Sequence, residues 1–282
     1  MGQRLGKEKL FSYIRNFGFG SKTGIDLNGE ASGILFNLDK VGPVELATTA
    51  FGQGVSVTPI QQLTSVSAAI NGGNLYKPYV VKRILEPVTN NVIKENTPTL
   101  VRNVIDSNTS KEVRRALESV VANGTGRNAY IEGHSVGGKT GTAQKVVDGV
   151  YGDGLYISSF VGVAPTTDPK VVCLMTVDEP VGTYYASVIA APTVGKMVEE
   201  IMKYMEIEPQ YTEEELGKIE KETVVVPNVV GMTLKEASVI IENEGLNHNV
   251  TIDVDENMLV KDQFPQAGTK VKKHSIVTIV LE

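Results

Sequence analysis

The stretch Gly133-His134-Ser135-Val136-Gly137-Gly138-Lys139-Thr140-Gly141-Thr142-Ala143-Gln144 admits two folds, and the choice between them decides how the rest of the chain is read. Taken as letters, Gly133, four residues and Gly138-Lys139-Thr140 satisfy the nucleotide-binding pattern G-x-x-x-x-G-K-[ST]. Downstream, Val171-Val172-Cys173-Leu174-Met175-Thr176-Val177-Asp178 imitates the apolar strand whose terminal Asp would hold magnesium. That site works only if the loop leaves a strand and opens a helix, so that backbone N–H groups and a helix N-terminus converge on phosphate. Here the residues before Gly133 are Gly124-Thr125-Gly126-Arg127-Asn128-Ala129-Tyr130, a loop that follows a helical pattern. After Thr140 come Gly141-Thr142, the pair Val146-Val147 and the turn signal Asp148-Gly149. No helix of normal length fits there. Residues 138–147 therefore read as a strand, and a P-loop nucleotide-binding protein is the weaker reading.

Outward from that strand, residues 156–164 and 170–177 are the next two, with turn signals at Asp148-Gly149, Gly152-Asp153-Gly154 and between Pro165 and Pro169. Strands so closely spaced pair antiparallel. Amphipathic helices flank them. Leu10, Ile14 and Phe17 share one face of residues 7–17 before Gly18. Thr58-Pro59 is an N-cap followed by Pro at the first helical position, and Ile60, Leu63, Ser67 and Ile70 keep helical spacing up to Gly72-Gly73. Residues 110–122 and 192–205 repeat the pattern. Helices, an antiparallel meander and a closing helix make an α+β arrangement.

Composition bounds the function. A chain of 282 residues that is 41% hydrophobic is an ordinary globular protein, long enough for two unequal domains. A net charge of −6 argues against general nucleic-acid binding. No apolar run approaches the ~20 residues of a membrane helix. The single cysteine, Cys173, lies in an apolar run and reads as a buried thiol. Charge is uneven: residues 1–205 carry +2, residues 206–222 carry −5 and residues 223–282 carry −3. The acidic middle, with Pro209 and Glu213-Glu214-Glu215, reads as a solvated linker with partial helical character. Beyond it, Thr233 caps a helix that Gly245 ends, residues 250–254 and 275–281 read as strands, and Pro265-Gln266-Ala267-Gly268 as a turn, giving a small β-α-β-β domain.

Lys139-Thr140-Gly141 is also the Lys-Thr-Gly element of penicillin-interacting serine enzymes. Alone it is a weak signal, but it belongs to an ordered series. Gly18-Phe19-Gly20, Thr23-Gly24-Ile25-Asp26-Leu27, Gly29-Glu30, Ala47-Thr48-Thr49-Ala50-Phe51-Gly52-Gln53-Gly54, Val57-Thr58-Pro59-Ile60-Gln61, Asn71-Gly72-Gly73 and Gly124-Thr125-Gly126 precede it. In that order, residues 1–205 resemble the C-terminal portion of the transpeptidase domain of class B penicillin-binding proteins. Residues 223–282 resemble one PASTA module, through Val226-Pro227-Asn228-Val229-Val230-Gly231-Met232 and Gln263-Phe264-Pro265-Gln266-Ala267-Gly268-Thr269. One PASTA module after a transpeptidase resembles the sporulation-specific branch of the family.

The resemblance implies acyl transfer: a serine attacks a D-Ala-D-Ala bond of a peptidoglycan stem peptide, and a neighbouring stem's amine resolves the acyl-enzyme. β-Lactams mimic the donor. Lys139, Thr140 and Gly141 are then the catalytic-site residues. Lys139 supplies charge near the substrate's terminal carboxylate, Thr140 and Thr142 offer hydroxyls, and Gly141 lets the substrate backbone approach. The Thr142 N–H is one oxyanion donor, and the strand pairs with the substrate peptide. Gln144 is a further substrate-binding residue along the strand. The resemblance implies no cofactor and no metal, and it places the parent protein outside the cytoplasmic membrane, anchored through a part preceding these residues. Division or sporulation proteins are further partners it implies. The family's S-x-x-K and S-x-N elements have no match: no Ser has Lys three positions on, and no Ser or Tyr has Asn two positions on. The match begins just past where S-x-N lies in the family, so a partial catalytic domain, inactive by itself, is expected. A non-catalytic muropeptide- or partner-binding PASTA protein is the alternative class. His134 lies in a loop, His248 and His274 lack metal-ligand spacing, Asp178-Glu179 reads as a strand end, and Gly52-Gln53-Gly54 as a turn.

Overall fold

The computed structural model describes residues 2–147, 150–250 and 255–282. The chain divides into two compact units, Met1–Pro209 and Gln210–Glu282.

The first unit opens with helices α1 (Gly2–Leu5), α2 (Lys7–Asn16), α3 (Pro43–Ala50) and α4 (Pro59–Ile70). The start of α4 follows from its sequence. The Gln61 N–H donates to Thr58 Oγ1 at 3.2 Å, and the Thr58 N–H donates to Gln61 Oε1 at 2.9 Å, a reciprocal cap around Pro59. Short strands β1 (Asn74–Lys77), β2 (Arg83–Leu85), β3 (Val92–Glu95) and β4 (Thr99–Asn103) come next, paired β1 with β4 and β2 with β3. The sequence does not mark them. Every residue of β2, β3 and β4 is exposed, and without a buried face no alternation of polar and apolar residues is imposed. Helix α5 (Ser107–Asn123) begins where Asp106 accepts the Thr109 N–H at 2.8 Å.

The meander follows as β5 (Gly137–Val147), β6 (Val150–Ala164) and β7 (Val171–Asp178), in the order β5-β6-β7 and antiparallel throughout. The Asp148-Gly149 turn lies outside the described residues. Gly152-Asp153-Gly154, expected as a second turn, is inside β6. Val146 already pairs with Tyr151, while Gln144 pairs with Tyr156, so these residues are absorbed as an irregularity in the register. Helices α6 (Ala186–Ile189) and α7 (Ala191–Tyr204) close the unit. Val194, Val198 and Met202 of α7 are fully buried, at the spacing of one helical face, in a core with Phe160, Ala164 and Cys173. The fit is close: a Cβ on Gly162 would lie 2.6 Å from Val194 Cγ1. Burial pushes the Cys173 thiol above its ordinary pKa.

The second unit begins in the segment read as a linker. Residues 213–222 form helix α8 (Glu213–Glu222), capped by Thr212 and Glu215, and it leads directly into β8 (Thr223–Val225). Helix α9 (Leu234–Asn243) follows its Thr233 cap, then β9 (Asn247–Val250), β10 (Val260–Phe264), β11 (Lys270–Lys272) and β12 (Ile276–Leu281). β12 lies between β10, antiparallel, and β9, parallel, while β11 pairs with β8. Of the strand expected at 250–254, residues 251–254 lie outside the described residues. The unit has its own core of Val226, Val229, Leu234, Ala237, Ile241, Val277 and Ile279.

Candidate active site

Among the described residues β5 is hydrogen-bonded to one strand only, so its outer edge is open. The Gly133–Thr140 pattern runs through a loop into the start of this strand, Gly137 to Thr140, and among the described residues the next helix begins at Ala186. The geometry that a P-loop requires is therefore absent from this stretch, which overturns the nucleotide reading.

The edge carries the expected residues on its two faces. Lys139 and Gly141 stand opposite Val161 and Ser159, while Thr140 and Thr142 stand opposite Phe160 and Ser158. Lys139 and Thr142 are exposed, and Thr140 and Gly141 are half-buried. Lys139 Nζ donates to the Thr140 carbonyl at 2.8 Å and lies 3.5 Å from Thr140 Oγ1. The strand approaches β6 so closely that a Cβ at Gly138 or Gly141 would force a β6 side chain to shift. A Cβ on Gly138 would lie 2.4 Å from Phe160 Cζ, and one on Gly141 would lie 2.6 Å from Ser159 Oγ. Ser159 is thus a reason for Gly141 within the fold itself, separate from any substrate. Gln144 spends its side chain inside the hairpin, where Nε2 donates to the Gly152 carbonyl at 3.0 Å.

Three features of this region lie beyond the sequence reading. Lys145 Nζ reaches across β6 to Asp178 at 2.9 Å and Glu179 at 2.8 Å. The hydrogen bonds that Lys145 donates to Glu179 and Asp178 raise its pKa. The pair read as a strand end therefore ties the outer strand to β7. Next, Tyr156 stacks on Tyr184 with centroids 4.1 Å apart and planes 8° from parallel, and Tyr185 packs on Tyr184 at 4.7 Å. Ser158 Oγ donates to the Tyr184 carbonyl, which fixes this aromatic group beside the Thr142 and Gln144 positions. The Tyr184-Tyr185 pair was visible in the sequence, but nothing in its spacing linked it to Tyr156. Third, Thr125 Oγ1 lies 3.2 Å from Thr140 Oγ1. His134 is half-buried in the loop before β5, its N–H donating to the Ile131 carbonyl at 3.1 Å. Gly52-Gln53-Gly54 closes α3, and a Cβ on Gly54 would lie 2.8 Å from the Phe36 ring.

An open antiparallel edge bearing Lys-Thr-Gly, backed by the buried face of α7, is the arrangement of the penicillin-interacting serine enzymes. The chain belongs to the penicillin-binding protein transpeptidase family, whose domain matches residues 1–203, and it carries a PASTA domain at residues 224–282. It is 51% identical to the stage V sporulation protein D of Bacillus subtilis, covering 100% of this chain and 43% of that protein. It is 31% identical to a probable peptidoglycan D,D-transpeptidase of Neisseria meningitidis, covering 74% of this chain and 34% of the relative. Among solved structures, penicillin-binding protein 3 of Mycobacterium tuberculosis complexed with ampicillin superposes with a TM-score of 0.69 at 29% identity, covering 75% of this chain and 49% of the other. The transpeptidase domain of penicillin-binding protein 3 from Burkholderia pseudomallei gives 0.65 at 29%, covering 75% and 61%. The chain therefore spans less than half the length of these two curated relatives.

Proposed function

We propose that these residues form the substrate-side wall and the PASTA domain of a peptidoglycan D,D-transpeptidase acting in spore-wall cross-linking. The observation that carries the reading is the open edge of β5, with Lys139 and Thr142 exposed on it. An extended stem peptide adds to such an edge through main-chain hydrogen bonds. Lys139 supplies a fixed positive charge for the peptide's terminal carboxylate, and Thr140 and Thr142 donate to it. The Thr142 N–H serves as one oxyanion donor at the carbonyl under attack. Tyr156, Tyr184 and Tyr185 give the strand an apolar flank for the stem's side chains. Gln144 acts one step removed, by holding the hairpin. β-Lactams occupy the same edge as donor mimics. The similarity to a sporulation protein supports spore-wall synthesis as the process, sporulation proteins as partners and a place outside the cytoplasmic membrane. Among the described residues no helix is long and apolar enough to cross a membrane.

The family's acylation chemistry needs a Ser-x-x-Lys nucleophile, a spacing these 282 residues do not contain. The test is a chimera in which they replace the matching part of the Bacillus subtilis protein. Fluorescent penicillin should label the chimera, and Lys139→Ala should slow labelling about a hundredfold or more. The 282 residues alone should give no covalent adduct by mass spectrometry. A chimera that stays unlabelled, or one indifferent to Lys139→Ala, would refute the reading.

A further inference from the structure

We propose that Thr125 is a positioning residue for the carboxylate-binding hydroxyl of Thr140; the inference rests on the function proposed above for β5. Thr125 lies in Gly124-Thr125-Gly126, the turn that ends α5, and its hydroxyl is 3.2 Å from that of Thr140. The two residues come from different elements, fifteen positions apart.

The turn is anchored, so the approach is not the accident of a mobile loop. Both the Gly124 and the Gly126 N–H donate to the Val120 carbonyl at 3.0 Å. Both glycines sit where a side chain would be crowded. A Cβ on Gly124 would lie 2.9 Å from the Val120 carbonyl oxygen, and one on Gly126 would lie 3.2 Å from Val121 Cγ2 and 3.3 Å from Phe160 Cε2. The same fully buried Phe160 ring touches Gly138 of β5. The turn and the strand therefore both approach the distal end of one ring, and Thr125 and Thr140 meet between these two elements.

The consequence is one of proton direction. A threonine hydroxyl has one proton and two lone pairs. Thr140 Oγ1 has two polar neighbours, Lys139 Nζ at 3.5 Å and Thr125 Oγ1 at 3.2 Å. Lys139 can only donate. If Thr125 also donates, both lone pairs of Thr140 are engaged and its proton is left to point outward. A carboxylate arriving at the edge then meets a hydroxyl already turned to donate, in a chain from Thr125 through Thr140 to the anion, in which each bond polarises the next. Without Thr125, Thr140 keeps its hydroxyl but loses the group that turns it.

The experiment uses the chimera described above with Thr125→Val, which keeps shape and removes the hydroxyl, and Thr125→Ser, which keeps it. Acylation is followed with benzylpenicillin and with its methyl ester, which lacks the carboxylate charge. Expected are a loss of about three- to tenfold in acylation efficiency for Thr125→Val with benzylpenicillin, the worth of one hydrogen bond, carried by weaker initial binding, and recovery in Thr125→Ser. The ester should react equally with all three chains. Equal rates of Thr125→Val and the unsubstituted chimera with benzylpenicillin would overturn the positioning role while leaving the function of β5 intact. So would a parallel loss with the ester, which would mark a purely structural effect. A chimera unlabelled even without substitution would remove the functional reading, and this proposal with it.

Discussion

Gly141→Ala separates two explanations of the glycine in Lys-Thr-Gly. The resemblance attributes it to the approach of substrate, whereas the structure puts Ser159 Oγ 2.6 Å from where a Cβ would be. That is roughly 1 Å inside the ~3.5–4.0 Å optimum for such a contact. The backbone of Gly141 is ordinary strand, so alanine is not strained in itself and even gains about 0.4–1 kcal/mol by restricting the unfolded chain. Overpacking against Ser159 costs about 1–3 kcal/mol, leaving a net loss of up to ~2.6 kcal/mol with a midpoint of ~1.3 kcal/mol. For a unit of this size the midpoint is a fall of about 3–5 °C in Tm. The remedy is specific: Ser159→Gly removes the clashing hydroxymethyl. In a double-mutant cycle followed by near-ultraviolet circular dichroism on heating, Gly141→Ala should destabilise the chain alone and cost nothing further in the Ser159→Gly background. A Gly141→Ala chain as stable as the unsubstituted one, or equally destabilised in both backgrounds, would refute the packing explanation. Penicillin labelling of the doubly substituted chimera then reads out the other explanation. If stability returns and labelling does not, substrate approach also demands glycine.

Gln61 is fully buried, and its Nε2 donates to the carbonyls of Ser21 at 2.8 Å and Ser32 at 2.9 Å while its Oε1 accepts the Thr58 N–H. Gln61→Leu leaves all three backbone groups without their partner at about 1–3 kcal/mol for each one kept from water, so urea titration should show a clear drop in midpoint. Asp26 accepts the Val80 N–H at 2.8 Å and the Val81 N–H at 2.9 Å, bonds that lower its pKa below 3.8. A depressed carboxylate stabilises above its unfolded pKa and loses that contribution as pH falls through the folded value. Protection of the Val80 and Val81 amides, taken relative to the intrinsic exchange rate at each pH, should therefore fall on acidification below about pH 4, in the ordinary Asp range, and Asp26→Asn should abolish the step. Residues 210–282 hold a core of their own; expressed alone they should give a dispersed amide spectrum, and a collapsed one would refute independent folding.

The sequence by itself determined what rests on neighbours along the chain. Thr58-Pro59 with Gln61, and Thr233 with Glu236, are caps closed within four residues, so both helix starts were legible. Gly141-Thr142 and Val146-Val147 before a turn signal marked a strand, and strand rather than helix made the nucleotide site the weaker reading. The order of short motifs identified the family. Tertiary structure decided what depends on residues far apart in sequence. The Gly-Asp-Gly at 152–154 is a turn signal in isolation, but long-range pairing of β6 with β5 and β7 outweighs it. The exposed strands between residues 83 and 103 have no buried face to write a pattern into the sequence. Gln61, 40 positions from Ser21, the Tyr156–Tyr184 stack and the meeting of Thr125 with Thr140 are all contacts between separate elements. A residue type and a local spacing specify which backbone shape is cheap; only the packed core specifies which hydroxyl ends up beside which.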